Sequence, residues 1–229
     1  MPVVLLRHTP DPERVVALAA RICYSARTVS ELETELNDDE VGSLLSLLLR
    51  QGHTSPFEHA SFTFGIEASR ACLNQLTRHR IASYSQQSQR YVRADNLACV
   101  RPPSVSGNEA AQAIMDQSVE QARRTYNELL GLGIPKEDAR YVLPVGAMSR
   151  LLATFNARSL HNLFGLRCCE RAQWEIRDIA REMLSLVRGV APRLFARAGS
   201  PCEVLGVCRE GAMSCGKLAR LRAAPNGGK

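Results

Sequence analysis

The sequence SPFEHASFTFGIEAS, residues 55–69, decides the fold class of this chain. It opens with the pattern of a capping box, in which Ser55 is the N-cap and Glu58 reaches back from the first turn. Apolar and small or polar side chains then alternate over residues 62–66, which predicts a strand with one buried face. Ser69 can cap a further helix. Helix, strand and helix in such short succession indicate a mixed α and β fold.

Outward from this stretch, apolar spacing and cap residues predict further helices and strands in both directions. Asp11 is the expected N-cap of the first helix, and the helix after Ser69 is expected to reach about His79. With no repeat and no linker along the chain, the sequence predicts one α+β domain. The remaining predicted elements are a strand at 2–7, helices at 12–24, 38–51, 109–132, 158–166 and 170–188, a helix starting at 135, a strand at 149–155, a non-core polar segment at 83–90, a loop at 101–108 and a frayed tail after Pro225.

Composition fits one large domain, or at most two small ones, and excludes disorder and fibrous folds. The chain has 229 residues, of which 45% are hydrophobic and 23% charged. Three of its 29 basic residues are lysines, which leaves 26 arginines, and the net charge is +6. Arginine grips phosphate and carboxylate groups with a planar fork, so the excess favours anionic ligands. A general preference for arginine codons is the alternative.

The cysteines and apolar runs predict a reduced, cytoplasmic protein. Four apolar residues precede Arg7, too few for a signal peptide, and no stretch is long enough to span a membrane. Without export, the eight cysteines are expected as thiols. Cys202, Cys208 and Cys215 do not have the Cys-x-x-Cys spacing of structural zinc sites, so no metal is predicted.

The densest polar cluster lies between Gln75 and Arg90. On a continuing helix, Gln75, Arg78 and His79 would share one face, and hydroxyl and amide side chains follow up to Arg90. Such a segment can hold a phosphate through backbone N–H groups and arginines, and no glycine-rich phosphate loop occurs in the chain. A solvated basic helix followed by a polar loop is the alternative.

Arg78-His79-Arg80, followed after seven residues by Ser88, resembles the signature of the flavin-dependent thymidylate synthases. Four more segments, in family order, resemble that family, and Arg167 falls five residues after the third of them. The similarity covers about residues 1–198. These segments are HTSPFEH at 53–59, ARYVLP at 139–144, NARSLHN at 156–162 and AQWEI at 172–176.

The resemblance implies an enzyme that makes dTMP by reductive methylation of dUMP. It implies 5,10-methylenetetrahydrofolate as carbon donor, NADPH as hydride source and FAD as carrier. It also implies a homotetramer with FAD between subunits, and a mostly antiparallel sheet flanked by helices over residues 1–216. A flexible tail is expected at 217–229.

The same resemblance assigns residues to two ligands. The FAD residues are Ser55, Arg78, His79, Arg80, Gln86, Asn156, Arg158 and Asn162. The dUMP residues are Gln75, Arg78, Gln86, Gln87, Ser88, Gln89, Arg90, Arg140 and Arg167.

Within these sets, Arg167 is the expected catalytic residue, because a cation beside the uracil ring would stabilise negative charge at N3 and O4. Ser88 and Arg90 suit a monophosphate. Ser88 as a nucleophile is the alternative, but it needs a base to activate it. Gln86 and Gln89 depart from several family members, which have Glu and Gly there, so their side-chain roles are less certain than backbone contacts.

Three other functions compete with this prediction. A nucleic-acid binder is supported only by the pI of 9.0, and the aromatic content of 5% is low for base stacking. A metal hydrolase at His53, Glu58 and His59 lacks the usual spacing. A thymidylate synthase with a cysteine nucleophile would need Cys168 or Cys169, which directly follow Arg167.

Overall fold

A computed structural model describes residues 3–223. Pro2, the first residue of the predicted strand, and the predicted frayed tail after Pro225 lie outside this range. The elements are β1 (Val3–His8), α1 (Pro12–Ile22), α2 (Val29–Glu35), α3 (Asp38–Gln51), a 3-10 helix (Ser55–His59), β2 (Ser61–Ser69), α4 (Arg70–Leu76), β3 (Ser83–Gln86), α5 (Pro103–Ser106), α6 (Glu109–Gly131), α7 (Lys136–Ala139), a 3-10 turn (Arg140–Val142), β4 (Met148–Asn156), α8 (Ala157–Arg167), α9 (Trp174–Val190), α10 (Pro201–Val204), a 3-10 turn (Gly211–Met213) and α11 (Lys217–Ala223).

The four strands form one sheet in the order β1-β2-β4-β3. Neighbouring strands β2 and β4 run antiparallel, since the Thr63 hydroxyl meets that of Thr154 at 2.9 Å, while Glu67 pairs with the earlier Arg150 at 3.1 Å. Alternate side chains of β2 are buried, as the sequence predicted for residues 62–66. The predicted α+β class with an antiparallel sheet and flanking helices is confirmed.

The chain divides into two compact units, and residues of strands β2 and β4 belong to both. The first unit comprises 66–78 and 84–152, and in it Tyr126 of α6 is fully buried. The second comprises 3–65, 79–83 and 153–223. Its core includes Phe195, whose ring packs on Phe62 at 5.3 Å, Phe164 at 6.1 Å and His161 at 5.3 Å.

Helix α4 ends at Leu76, three residues before the predicted end. Ser69 caps it as predicted, accepting from the Cys72 N–H at 3.0 Å. At the other end the Tyr84 hydroxyl donates to the Leu76 carbonyl at 3.0 Å, so a tertiary contact satisfies a terminal carbonyl. The prediction that Gln75, Arg78 and His79 share a helix face is therefore wrong.

The predicted capping box at Ser55 is also wrong. Residues Ser55–His59 form a 3-10 helix with no side-chain cap, and Glu58 pairs with Arg158 instead. Capping boxes occur at the starts of α2 and α3, where Thr28 and Asn37 are the N-caps. Helix α2 was not predicted from the sequence.

Several smaller expectations are corrected by the structure. Asp11 precedes α1, but its left-handed backbone, with φ of 42°, leaves it without a side-chain cap. The polar segment at 83–90 lies outside the core, as predicted, although it includes the edge strand β3. The predicted loop at 101–108 contains α5. Helix α9 begins at Trp174 rather than at 170, because Gln173 caps it by accepting from Glu175 and Ile176. In the segment predicted as a tail, Lys217–Ala223 forms α11.

Candidate active site

The segment predicted to bind a monophosphate runs beside strand β4. The Gln87 N–H donates to the Arg150 carbonyl at 2.9 Å, which continues the pairing of the edge strand β3. The chain then turns at Ser88, whose hydroxyl accepts from the Arg90 N–H at 3.2 Å and whose carbonyl accepts from Val92 at 3.0 Å. The turn thus gives Ser88 and Arg90 fixed backbone positions.

Glu137 contacts two of the arginines predicted to bind dUMP. Its carboxylate accepts from Nε of Arg90 at 2.8 Å, and its carbonyl accepts from Nε of Arg140 at 2.9 Å. Lys136 donates to the Tyr91 carbonyl at 2.8 Å, which adds a third cation beside the turn. In both arginines the bonded atom is Nε, and a guanidinium carries four further N–H donors on its terminal nitrogens.

Gln87 and Gln89 line a cavity of about 250 Å³ in the first unit. Ser149 and Arg150 of β4 lie in its wall, and the buried hydroxyl of Ser149 has no hydrogen-bond partner among residues 3–223. Ser88 and Arg90 are not among the residues that line this cavity. The structure therefore does not bring all the predicted dUMP residues to one cavity.

Gln75 and Arg78, also predicted for dUMP, lie at the end of α4 and in the turn after it. The Gln75 amide donates to the Ala71 carbonyl at 3.2 Å. Arg78 is exposed, and among residues 3–223 it makes no ion pair. An unpaired surface arginine keeps its full donor set for an anionic ligand.

Arg167 and His79 form a contact in the second unit. Nε of Arg167 donates to Nε2 of His79 at 3.0 Å, and both side chains are half-buried. Burial, and secondarily the charge of Arg167, lowers the pKa of His79 to about 4. His79 is then neutral at pH 7, with Nε2 as the acceptor, and this holds the Arg167 guanidinium by its Nε.

Helix α8 carries the largest group of predicted FAD residues. Asn156 is its N-cap, with Oδ1 accepting from the Ser159 N–H at 2.8 Å. Arg158 and Asn162, one turn apart on α8, line a cavity of about 500 Å³ together with Thr54 and His161. Helix α8 and its N-cap therefore hold Asn156, Arg158 and Asn162 in fixed relative positions.

Two predicted FAD residues of the second unit, Ser55 and Arg80, do not line this cavity. Ser55 is exposed in the 3-10 helix, and its neighbour Thr54 lines the cavity instead. Arg80 is exposed and, within the part of the chain that the structure describes, has no acidic partner. Gln86, predicted for both ligands, is half-buried at the end of β3.

The donor chemistry of the second unit fits FAD. A dinucleotide cofactor needs cations and N–H donors for its pyrophosphate, and polar groups for its rings. Arg80 is an unpaired cation, Arg158 is an exposed one held by Glu58, and Asn162 offers an exposed amide. The amide nitrogen of Asn156 is not used by its cap bond, which is made by Oδ1.

The sequence interpretation missed the residues that organise these groups. Glu137 was identified only as part of an acidic helix start, although its spacing of three from Arg140 is a signal for a helical contact. Glu58 was assigned to a cap rather than to Arg158, 100 residues away. Nothing local in the sequence indicates a partner at that distance.

Comparisons with known proteins identify the family. Residues 4–193 match the model of a family described as "Thymidylate synthase complementing protein". A flavin-dependent thymidylate synthase of Geobacter sulfurreducens is 52% identical over 225 residues, which are 97% of each chain. Enzymes of the same name are 45% identical in Clostridium tetani, over 96% of this chain and 95% of the relative, and 44% identical in Nitratidesulfovibrio vulgaris, over 97% of each.

The chain belongs to the flavin-dependent thymidylate synthase family. The resemblance drawn from its motifs is confirmed, and with it the predicted enzyme class and the FAD cofactor. Between residues 3 and 223, no helix combines the length and apolarity needed to cross a membrane. Over the same residues, no three His, Cys, Asp or Glu side chains are grouped so as to hold a metal ion.

Proposed function

We propose that this enzyme converts dUMP to dTMP, with the one-carbon unit from 5,10-methylenetetrahydrofolate and the reducing equivalents from NADPH. Bound FAD supplies the hydride-carrying chemistry that protein side chains lack. The protein contributes binding, orientation and electrostatic stabilisation. The contact of Arg90 and Arg140 with one residue, Glu137, is the observation that best supports this function, because it builds a cationic site for one phosphate.

For dUMP, Ser88, Arg90 and Arg140 hold the phosphate. The hydroxyl, the backbone turn and the two guanidinium groups supply donors and charge that a phosphate dianion requires. The remaining residues proposed to contact dUMP are Gln75, Arg78, Gln86, Gln87, Gln89 and Arg167.

Arg167 acts on the uracil ring. Its guanidinium stabilises negative charge at N3 and O4, which enriches C5 for attack on the carbon donor. The neutral imidazole of His79 accepts from Nε of Arg167 and so orients the guanidinium towards the ring. His79 is thus a positioning residue for the arginine as well as a residue beside the flavin.

For FAD, the residues proposed to bind are the exposed cations and polar side chains described above. The guanidinium groups face the pyrophosphate and the amides face the rings or ribose. The full set is Ser55, Arg78, His79, Arg80, Gln86, Asn156, Arg158 and Asn162.

A cysteine nucleophile is disfavoured by the thiols that follow Arg167. Cys168 is buried, and burial raises the pKa of its thiol to about 11, so very little thiolate is present at neutral pH. Cys169 lines the cavity of the second unit rather than the nucleotide segment.

The active enzyme is a cytoplasmic homotetramer in which subunits share the FAD sites. Assembly would let residues on distant elements meet one cofactor, and exposed apolar side chains such as Tyr141 and Leu132 are available for interfaces. Light scattering of the purified protein tests the proposed mass of four chains.

The function is tested by anaerobic conversion of dUMP with methylenetetrahydrofolate and NADPH. We expect a flavin absorption spectrum from the pure protein and dTMP as product, with no turnover when the folate is omitted. A colourless protein that forms no dTMP and binds DNA with steep salt dependence would instead establish the nucleic-acid alternative.

A further inference from the structure

Four of the eight cysteines line one cavity. This is the cavity of about 500 Å³ in the second unit, and its thiols are those of Cys169, Cys202, Cys208 and Cys215. One wall is α8, and the other is the C-terminal segment from residue 197 to 218. The family match ends at residue 193, so all of this second wall lies beyond it.

Of these four cysteines, Cys208 has the surroundings that most favour ionisation of the thiol. Its Sγ lies 3.5 Å from the Ser214 hydroxyl oxygen, and that oxygen also accepts from the Gly216 N–H at 3.2 Å. The Cys208 thiol donates to this oxygen, and once the thiol has ionised the Ser214 hydroxyl can rotate to donate to the sulfur. Gly216 has φ of 76°, a left-handed conformation that glycine adopts readily, so the turn is built to keep this geometry.

The charges that line the cavity are of both signs. Arg209, next to Cys208, and Arg197 make no ion pair among residues 3–223, whereas Lys217 is bound by Glu170 and Glu203. The carboxylate of Glu210 opposes them. The hydrogen bond with Ser214, followed by one with the Glu210 main chain, lowers the pKa of the Cys208 thiol below its usual value.

Cys215 is the thiol best placed to react with an oxidised Cys208. It directly follows Ser214, the residue in contact with the Cys208 sulfur. The 3-10 turn at Gly211–Met213 folds the intervening chain back, with Gly211 at φ of 51°. Both thiols are half-buried and line the same cavity, so a small oxidant can reach them.

We propose that Cys208 and Cys215 form a redox-sensitive thiol pair that hydrogen peroxide converts to a disulfide. The Cys208 thiolate attacks one peroxide oxygen, the O–O bond breaks, and the released hydroxide takes up a proton to become water. The Cys215 thiolate then attacks the sulfenic sulfur, the S–S bond forms, and the S–O oxygen leaves as a second water. In total the two thiols lose two electrons and two protons, and peroxide is reduced to two waters.

The test is carried out on the full-length protein, first by alkylation. Limiting iodoacetamide at pH 7 followed by peptide mass mapping should label Cys208 several-fold faster than the exposed Cys23. Ser214→Ala should remove most of that difference, since it deletes the hydroxyl that supports the thiolate. Equal rates for Cys208 and Cys23 in the native protein would overturn the proposal.

The second arm is oxidation. After peroxide treatment, a non-reducing peptide map should show a Cys208–Cys215 disulfide, which is absent in Cys208→Ser. In Cys215→Ser, Cys208 should persist as a sulfenic acid that dimedone traps, and the control Cys23→Ser should oxidise like the native protein. A disulfide elsewhere, no disulfide at all, or stoichiometric zinc released when these cysteines are alkylated would each refute the redox pair.

Discussion

At the scale of single residues, the contact between Arg167 and His79 shows how the side chain proposed as catalytic is held in place. The guanidinium is half-buried and held through Nε at 3.0 Å. Because His79 is neutral, it orients Arg167 without cancelling its charge. A lysine, with a single nitrogen and a mobile point charge, could not be oriented by such a contact in the same way as the planar guanidinium.

Arg167→Ala should therefore abolish turnover while FAD remains bound. We expect kcat to fall by about 10² to 10³, as when one preorganised electrostatic donor is removed from an active site. Flavin absorbance per subunit and the rate of dTMP formation are the two measurements. Arg171→Ala removes an exposed arginine four residues later and serves as the control. Near-native turnover of Arg167→Ala would show that the residue is not catalytic.

Protonation of His79 should make stability depend on pH. The imidazole titrates at about 4 in the folded protein and near 6.5 when unfolded, so the unfolded chain binds more protons between these values. The free energy of unfolding should therefore fall as pH is lowered from 6.5 towards 4. Denaturant titrations at pH 7, 6 and 5 measure this slope.

His79→Gln is the matched variant, because its amide oxygen can still accept from Arg167 but does not titrate. Its unfolding free energy should decline less than that of the native protein between pH 6.5 and 5. His161, whose pKa burial also lowers, is common to both proteins and cancels in the difference. Parallel slopes for the two proteins would rule out the assigned titration.

Glu137→Gln should raise KM for dUMP with little change in kcat. The carboxylate orders Arg90 through Nε, and an exposed ion pair of this kind contributes up to about 1 kcal/mol, or about fivefold in affinity. We expect KM to increase by about two- to fivefold. Asp138→Asn removes the same charge from an exposed neighbour without a role in ordering Arg90. A decrease in KM would mean that Glu137 repels the phosphate.

At the scale of elements, local sequence predicts the interiors of helices and strands better than their ends. Helix α3 has the predicted bounds, and β2, β4, α6 and α8 lie within a few residues of theirs, because periodic apolar spacing fixes each buried face. The end of α4 could not be predicted, since a tyrosine from β3 satisfies its carbonyl. The false capping box at Ser55 failed because Glu58 has a stronger partner in Arg158.

Asn156 combines a structural role in α8 with a proposed FAD contact, and two variants separate them. Asn156→Ala should destabilise the protein by about 1 kcal/mol, because the Ser159 N–H loses its acceptor. Asn156→Asp should keep the cap and the stability. Both should retain less flavin, since both lack the amide nitrogen.

Asn108→Ala is the control for this pair, because Asn108 caps α6 through the same kind of bond, at 3.1 Å. It should cost similar stability and leave flavin retention unchanged. The readouts are the urea midpoint and flavin absorbance per subunit. An Asn156→Asp protein with native flavin content would show that the amide does not bind the cofactor.

At the scale of the whole molecule, the sequence predicted the site through family resemblance and not through spacing. Arg90 meets Glu137 across 47 positions, and Arg167 meets His79 across 88. Composition and periodicity carry no information about such pairs. The prediction that the arginine excess serves anionic ligands stays a prediction, and Arg78, Arg80 and Arg90 are exposed as it requires.

One long-range ion cluster should control the stability of the second unit. Glu13 of α1 is nearly buried, and its carboxylate accepts from the N–H of Leu194, at 3.2 Å, and from the N–H and side chain of Arg193. Asp38 accepts from the same guanidinium at 2.7 Å, but its side chain is 84% exposed. One arginine therefore has a buried and an exposed carboxylate partner.

Removing the buried partner should cost far more than removing the exposed one. Glu13→Ala removes the acceptor of two backbone N–H groups and of Nε of Arg193, so we expect a loss of about 3 kcal/mol in unfolding free energy. Asp38→Ala should lose at most about 1 kcal/mol, because water replaces an exposed carboxylate. Urea titrations at pH 7, in low and high salt, measure both variants, and only the Asp38 effect should shrink with salt. Equal losses would mean that burial does not determine the strength of this cluster.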